Sequence, residues 1–343
     1  MKRGTQEGKK SHQNQTVFFK NQPRIIGAYT VVGKKEATGP LGKSFHHYMT
    51  DEYFGEKTHE AAEQKMFETA IHGAIRSARL KPADIDMMLS GDLLNQITSS
   101  SFAARSFDMT FVGLYGACST MALTLGMGAC MVDAGFLDRV VVSAGSHYAT
   151  AERTYRTPLE LGSQKPPLAQ WTVTGCGATV IASGGDGPRI TSVTFGKVQD
   201  WGTIDVNNMG AAMAPAAATT LIAHFRDTGT TPADYDAIFS GDLGKLGENI
   251  LRDLLANANY PVDQRYHDCG RMIFDYKQHA YQGGSGCGCS AVVFNGFILN
   301  KLRKGEYKKV LFVATGALLS PISSFQGNTI PGIAHAIVIE GGK

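Results

Sequence analysis

The sequence predicts an α/β protein made of two copies of one strand–helix unit, stacked as a five-layer αβαβα sandwich. Three observations predict this. First, the window from Lys81 to Leu93 recurs from Thr231 to Leu243 at a constant offset. Pro82 matches Pro232, Asp84 matches Asp234, Asp86 matches Asp236, and Ser90-Gly-Asp-Leu93 matches Ser240-Gly-Asp-Leu243. Ungapped identity of that density marks a tandem duplication. Second, a cysteine-bearing turn of small residues opens an apolar helix in each half. Gly116-Ala-Cys-Ser119 precedes one, and Gly286-Cys-Gly-Cys-Ser290 precedes the other. Cys118 stands as far from Gly145 as Cys289 does from Gly316. Third, strand-like and helix-like segments alternate, which implies a mainly parallel sheet with right-handed crossovers. Each half then reads βαβαβαββ, with the two apolar helices sandwiched near a pseudo-dyad.

The elements follow in order. Residues 1–22 read as a disordered polar tail. Pro23 to Val32, rich in Ile, Val and Tyr, reads as the first strand. Thr58 is placed to cap a helix running from His59 to Leu80, with Ala62, Met66, Ala70 and Ile71 on its apolar face. Ile85 to Leu89 is a strand. The run 111–115 is another, followed by the Cys118 turn and the apolar helix Met121 to Phe136. Arg139 to Ala144 is a core strand. The polar insertion 147–171 follows, where a loop of that length serves as a lid, a ligand loop or a contact surface. Thr172 to Ser183 and Arg189 to Val198 read as an antiparallel pair closing the first half, which places the halves at 23–199 and 200–343. In the second half, Asn207 to Arg226 reads as a helix bent or delayed by Pro215. The helix Ala291 to Leu302 and the strand Lys309 to Thr315 complete it.

Composition excludes several classes. The chain has 343 residues, 43% hydrophobic and 18% charged, which is a globular composition with a large core. A net charge of +3 and the lack of a basic stripe argue against nucleic acid. Lys301-Leu-Arg-Lys304 and Lys308-Lys309 read as a helix end and a strand entry. The six cysteines lack framework spacing and read as reduced thiols. His267 and Cys269 alone are too few for zinc, and no metal or cofactor is expected. The first residues lack the apolar stretch of a signal peptide. Asp133 breaks the run nearest the length of a membrane span.

Cys118, at a helix N-terminus, is placed where unpaired N–H groups and the helix dipole favour a thiolate. It therefore reads first as a nucleophile. A packed small residue under the turn is the competing reading.

The duplicated layout, with Gly-Ala-Cys-Ser opening a buried helix, resembles the thiolase fold shared by thiolases and ketoacyl synthases. Seven segments together resemble one branch, the stage V sporulation protein AD family. They are Gly91-Asp-Leu-Leu-Asn-Gln96, Leu114-Tyr-Gly-Ala-Cys-Ser-Thr120, Ala149-Thr-Ala-Glu-Arg153, Gln164-Lys-Pro166, Ala211-Ala-Met-Ala-Pro-Ala-Ala217, Gly283-Gly-Ser-Gly-Cys287 and Ala314-Thr-Gly-Ala-Leu-Leu-Ser-Pro321. The resemblance spans roughly residues 23 to 340. It implies a protein of the forespore inner membrane, itself soluble and held there by membrane subunits of a channel complex. It also implies binding of dipicolinate or its calcium chelate, a role in sporulation and germination, and a homodimer.

The resemblance also implies what a condensing enzyme of this fold needs: a cysteine plus His and Asn, or His and Cys, to move protons and hold an oxyanion. Where related ketoacyl synthases carry His-Gln-Ala-Asn, this chain has Ser240-Gly-Asp-Leu-Gly244. Where they carry Gly-Asn-Thr-Ser, it has Gly284-Ser-Gly-Cys287, so that Ser285 replaces the asparagine. Cys118 is then a vestigial nucleophile unless His147, Cys287 or Cys289 substitutes for a partner. The expected ligand set is Cys118, His147, Arg153, Arg156, Lys165, Asp92, Asn95, Asp242, Ser285 and Cys287. Helix N-termini and the cations suit carboxylates, while Asp92 and Asp242 suit a calcium chelate. Both aspartates equally read as helix caps, and Arg153 and Arg156 as ion-pair partners of nearby glutamates. Two functions stay open: non-enzymatic dipicolinate binding, and acyl transfer through Cys118.

Overall fold

The structure is a computed structural model and describes residues 14–155 and 167–342. The first half contains the strands β1 (Thr16–Phe18), β2 (Arg24–Val32), β3 (His47–Tyr48), β4 (Met87–Gly91), β5 (Thr110–Gly113), β6 (Arg139–Ser146), β7 (Trp171–Thr172) and β8 (Gly175–Ala182). Its helices are α1 (Lys34–Ala37), α2 (His59–Ser77), α3 (Thr98–Ala103), α4 (Thr120–Asp133) and α5 (Tyr148–Tyr155). The second half contains β9 (Arg189–Phe195), β10 (Ala237–Ser240), β11 (Tyr266–Asp268), β12 (Gly284–Ser285), β13 (Lys309–Ala317) and β14 (Gly332–Glu340). Its helices are α6 (Met209–Thr228), α7 (Gly244–Asn257), α8 (Cys269–Ile273), α9 (Cys287–Val292), α10 (Leu299–Arg303) and α11 (Pro321–Phe325).

The duplication is visible in the strand order. One path runs β11-β10-β13-β14-β9-β2-β8-β6-β4-β5, so the order outward from β9 repeats the order outward from β2. The two five-strand segments meet through one residue pair, Arg24 opposite Arg189. Helix α4 packs on β4, β6 and β8 of one segment and on β9, β13 and β14 of the other. Helix α9 packs on β2, β6 and β8. One core therefore joins Met121, Leu125 and Ala129 of α4 with Val292 and Val293 and with strands of both halves. Outside it, α2 covers the first segment through Met66, Phe67 and Ile71, and α6 covers the second through Met213, Leu221 and Phe225. Helix, sheet, helix pair, sheet and helix make the five layers.

Local chemistry sets the helix starts. Thr58 accepts the N–H of Ala61 at 3.2 Å and caps α2. Asn208 accepts the N–H of Ala211 at 3.3 Å and caps α6, which passes through Pro215 without ending.

Five expectations are corrected. The sheet is mixed, not mainly parallel: β13–β14, β14–β9, β2–β8 and β6–β8 pair antiparallel. Residues 16–18 belong to the sheet: β1 pairs with β9, and Gln15 and Thr16 donate their N–H groups to Asp227. Strand β9 does not pair with β8. It pairs with β14 and β1 and meets β2 at one residue pair, and its place in the repeated strand order makes it the first strand of the second half. The expected strand from Thr172 divides into β7 and β8, and β7 leaves the main sheet to pair with β12. The helix expected over 291–302 carries a wide π turn at Val293–Ile298. There Asn295 accepts the Thr179 hydroxyl at 2.6 Å and donates to the Ala291 carbonyl at 3.0 Å. The polar insertion begins as α5, a helix with Thr150 and Glu152 buried, and residues 156–166 lie outside the described chain.

A candidate binding cleft at Cys118

The Cys118 turn is fixed by close backbone contact. Ala117 has φ 50°, a left-handed conformation that costs an alanine free energy and persists where its surroundings enforce it. Gly316 at the end of β13 does so. A Cβ there would stand 2.4 Å from the Gly116 carbonyl oxygen and 3.2 Å from the Cys118 nitrogen. The second cysteine turn approaches from the other half, where Gly286 at φ 94° leads into α9.

Between the turns lies a narrow cleft with an open mouth and about 30 Å³ of cavity volume. Cys118, Tyr115, Glu152, Tyr155, Thr172 and Ser285 supply its polar groups; Leu93, Met209 and Leu319 are among its apolar ones. Thr172 and Ser285 are register partners in the β7–β12 pair, so that small sheet forms a wall shared by both halves. Thr172 donates to Glu152 at 3.1 Å. Tyr155 donates to the Leu93 carbonyl, and the Tyr115 and Tyr155 hydroxyls lie 3.5 Å apart. Helix α5 is tied to α2 beneath the cleft by Thr150, which donates to Glu63 at 2.7 Å. Leu94, Asn95, Gln96 and Pro321 line an outer groove that shares Tyr115, Tyr155 and Leu319 with the cleft.

Asp242 lies directly behind this lining. It accepts the Gly286 N–H at 2.9 Å, the Thr315 hydroxyl at 2.8 Å and the Ser285 hydroxyl at 3.2 Å, and it hydrogen-bonds the Cys118 thiol. Burial pushes its carboxyl up to about 7. The same burial, reinforced by Asp242, pushes the Cys118 thiol well above its ordinary range. This overturns the expected thiolate. A helix N-terminus stabilises an anion by about 0.3–1 kcal/mol, up to about 2 in partly buried sites. Full burial can displace a pKa by about 3–5 units, and a neighbouring carboxylate acts in the same direction.

The other expected residues divide clearly. Ser285 lines the cleft with Cys118, and Asn95 stands on its outer rim. His147 does not line it. Its Nε2 donates to the Glu52 carbonyl at 2.9 Å, its Nδ1 accepts the Ala149 N–H, and burial lowers its pKa to about 4. His147 is thus a neutral residue that starts α5, not a substitute base. Cys287 is buried behind the lining, where its thiol donates to the Gly145 carbonyl at 2.9 Å. Cys289 is likewise enclosed, 3.6 Å from the Gly241 carbonyl. Asp92 is enclosed too, accepting from Leu94 N–H, Ser100 N–H and the Ser100 hydroxyl, so it organises the turn before α3. Arg153 points outward, half-exposed, and pairs with Glu60. Arg156 and Lys165 lie outside the described residues. Among the described residues, no group of three His, Cys, Asp or Glu side chains is arranged to hold a metal ion.

Glu152, Tyr115 and Tyr155 were not expected in the site. Glu152 sits within Ala149-Thr-Ala-Glu-Arg153, and Tyr115 directly precedes the cysteine turn. What hid them is orientation. A helix that presents Ala151, Glu152 and Tyr155 to a cleft and turns Arg153 outward looks uniformly polar in sequence.

Fold and cleft together define a thiolase-like protein. Solved structures agree: 3-oxoacyl-[acyl-carrier-protein] synthase III from Aquifex aeolicus superposes with a TM-score of 0.56 at 13% identity, over 93% of this chain and 99% of that one. Cerulenin-bound OleA of Xanthomonas campestris gives 0.59 at 14%, over 94% and 97%. The tetronic acid condensing enzyme AbyA1 gives 0.59 at 16%, over 93% and 100%. At these identities the likeness concerns the fold. Within that class the family is specific: residues 13–340 match stage V sporulation protein AD (SpoVAD), and the chain belongs to this family. Stage V sporulation protein AD of Bacillus subtilis (strain 168) is 44% identical over 326 residues, covering 95% of this chain and 96% of that protein. No helix among the described residues is long and apolar enough to cross a membrane.

Proposed function

We propose that this sporulation protein uses the Cys118 cleft to bind dipicolinate as its calcium chelate, without acyl transfer, as a subunit of a channel complex in the spore inner membrane. The observation that carries the reading is the Cys118–Asp242 pair. A condensing enzyme needs a base that leaves its thiol reactive, whereas Asp242 hydrogen-bonds the thiol and disfavours the thiolate. None of the described histidines lines the cleft.

The lining favours the chelate over the free dianion. Glu152 is a carboxylate in the wall, and calcium takes carboxylate oxygens that a bare dianion would repel. Tyr115 and Tyr155 offer aromatic faces to a planar ring, and Ser285 and Thr172 offer hydroxyls to its carboxylates. Calorimetric titration tests the reading. Calcium dipicolinate is expected to bind saturably, Glu152→Ala to weaken it about tenfold, the loss of one charge-assisted contact, and Arg153→Ala to leave it unchanged. Absence of binding at millimolar chelate, or an acyl adduct on Cys118 by intact mass after incubation with an acyl-CoA, overturns it.

A further inference from the structure

The remote end of β13 carries a second concavity. Arg24, Arg189, Lys308, Tyr307 and Glu340 line it, with Leu302 and three glycines, and its cavity volume is about 600 Å³. Lys308 and Ala317 bracket the nine-residue strand, so this pocket lies roughly 30 Å from the Cys118 cleft at ~3.3 Å per residue.

Its charged lining residues are mainly cationic. Arg24 and Arg189 are register partners at the single pair joining the two sheet segments. Like charges placed directly opposite on neighbouring strands destabilise the pairing. Only part of that charge is answered. Arg189 bonds Glu340 at 3.1 Å and the Gln22 side-chain oxygen at 3.1 Å. Arg24 reaches only a carbonyl, that of Gly187, at 3.3 Å. Among the described residues, neither Arg24 nor Lys308 makes an ion pair. The backbone of Lys308 is pinned, its N–H on Asp236 at 2.6 Å and its carbonyl on the Gly341 N–H at 2.8 Å. Among the described lining residues three cations face one carboxylate, and the Asp236 carboxylate that holds the Lys308 backbone lies beside them, so the concave site is net positive.

We propose that this pocket binds a phosphate dianion, either free or as a phosphomonoester headgroup. Such a group carries about −1.5 to −2 charge at neutral pH and suits a net positive site. Planar guanidinium forks and an ammonium are the donors that phosphate oxygens select. The hydrogen bonds holding both arginines set their orientation before the ligand arrives.

The test uses the full chain in a phosphate-free buffer. Titration with inorganic phosphate is expected to give saturable heat, and the double variant Arg24→Gln, Lys308→Gln to lose at least tenfold in affinity with an unchanged melting temperature. Both substitutions keep Arg189, Gln22 and Glu340, so the strand junction is retained. Co-sedimentation with phosphatidic acid vesicles separates the sources: variant-sensitive vesicle binding assigns a headgroup, and phosphate binding without vesicle binding assigns a free phosphate. Phosphate that binds wild type and variant equally, or neither, overturns the proposal.

Discussion

The residue that controls the cleft is Asp242 as much as Cys118. Its carboxyl is fully enclosed, receives three hydrogen bonds besides the thiol, and still titrates near 7 because burial outweighs them. The sign of its linkage follows. The folded protein keeps a proton that the unfolded chain loses near 4, so Asp242 contributes stability that is present below about pH 4 and lost as pH rises towards 7. A displacement of about three units corresponds to about 4 kcal/mol as an upper bound. Urea unfolding of Asp242→Asn across pH 4 to 7 is expected to show a flatter decline than wild type, the variant gaining a few kcal/mol relative to wild type over that interval. Parallel curves would contradict the assignment.

At the scale of elements, the two buried helices are not equivalent. Helix α4 is regular, whereas the second-half helix widens into a π turn around Asn295. Asn295 bonds Thr179 of β8, so the bulge holds the second-half helix on the first-half sheet. Gly177 allows the approach, since a Cβ there would stand 2.4 Å from the Ala291 carbonyl oxygen. Asn295→Ala strands the Thr179 hydroxyl and opens a cavity, with an expected cost of about 2–4 kcal/mol in urea unfolding. A cost below about 0.5 kcal/mol would show that the bulge has no such role. None of this was legible in sequence. The run 291–302 has helical periodicity, and a π turn leaves no period of its own. The turn-bearing cysteines, the repeated windows and the alternation of strands and helices were legible, because duplication and period are one-dimensional signals. The direction of Arg153, the enclosure of His147 and the partners of β9 depend on packing between distant segments. For that reason the expected ligand set mixed residues of the cleft with residues behind it.

At the scale of the whole molecule, β13 runs between two sites. At one end Gly316 and Ala317 adjoin a cleft with Glu152 in its wall and Asp242 behind it; at the other, Lys308 borders a net positive pocket. The fold supplies the cleft, and Asp242 behind its wall hydrogen-bonds the Cys118 thiol. Electron density after soaking crystals with calcium dipicolinate tests chelate binding in the cleft most directly. A planar ligand is expected beside Tyr115 and Tyr155, with calcium on the Glu152 carboxylate and the Cys118 sulfur unmodified. An empty cleft at saturating chelate, or dipicolinate found only against Arg24 and Arg189, would contradict that binding.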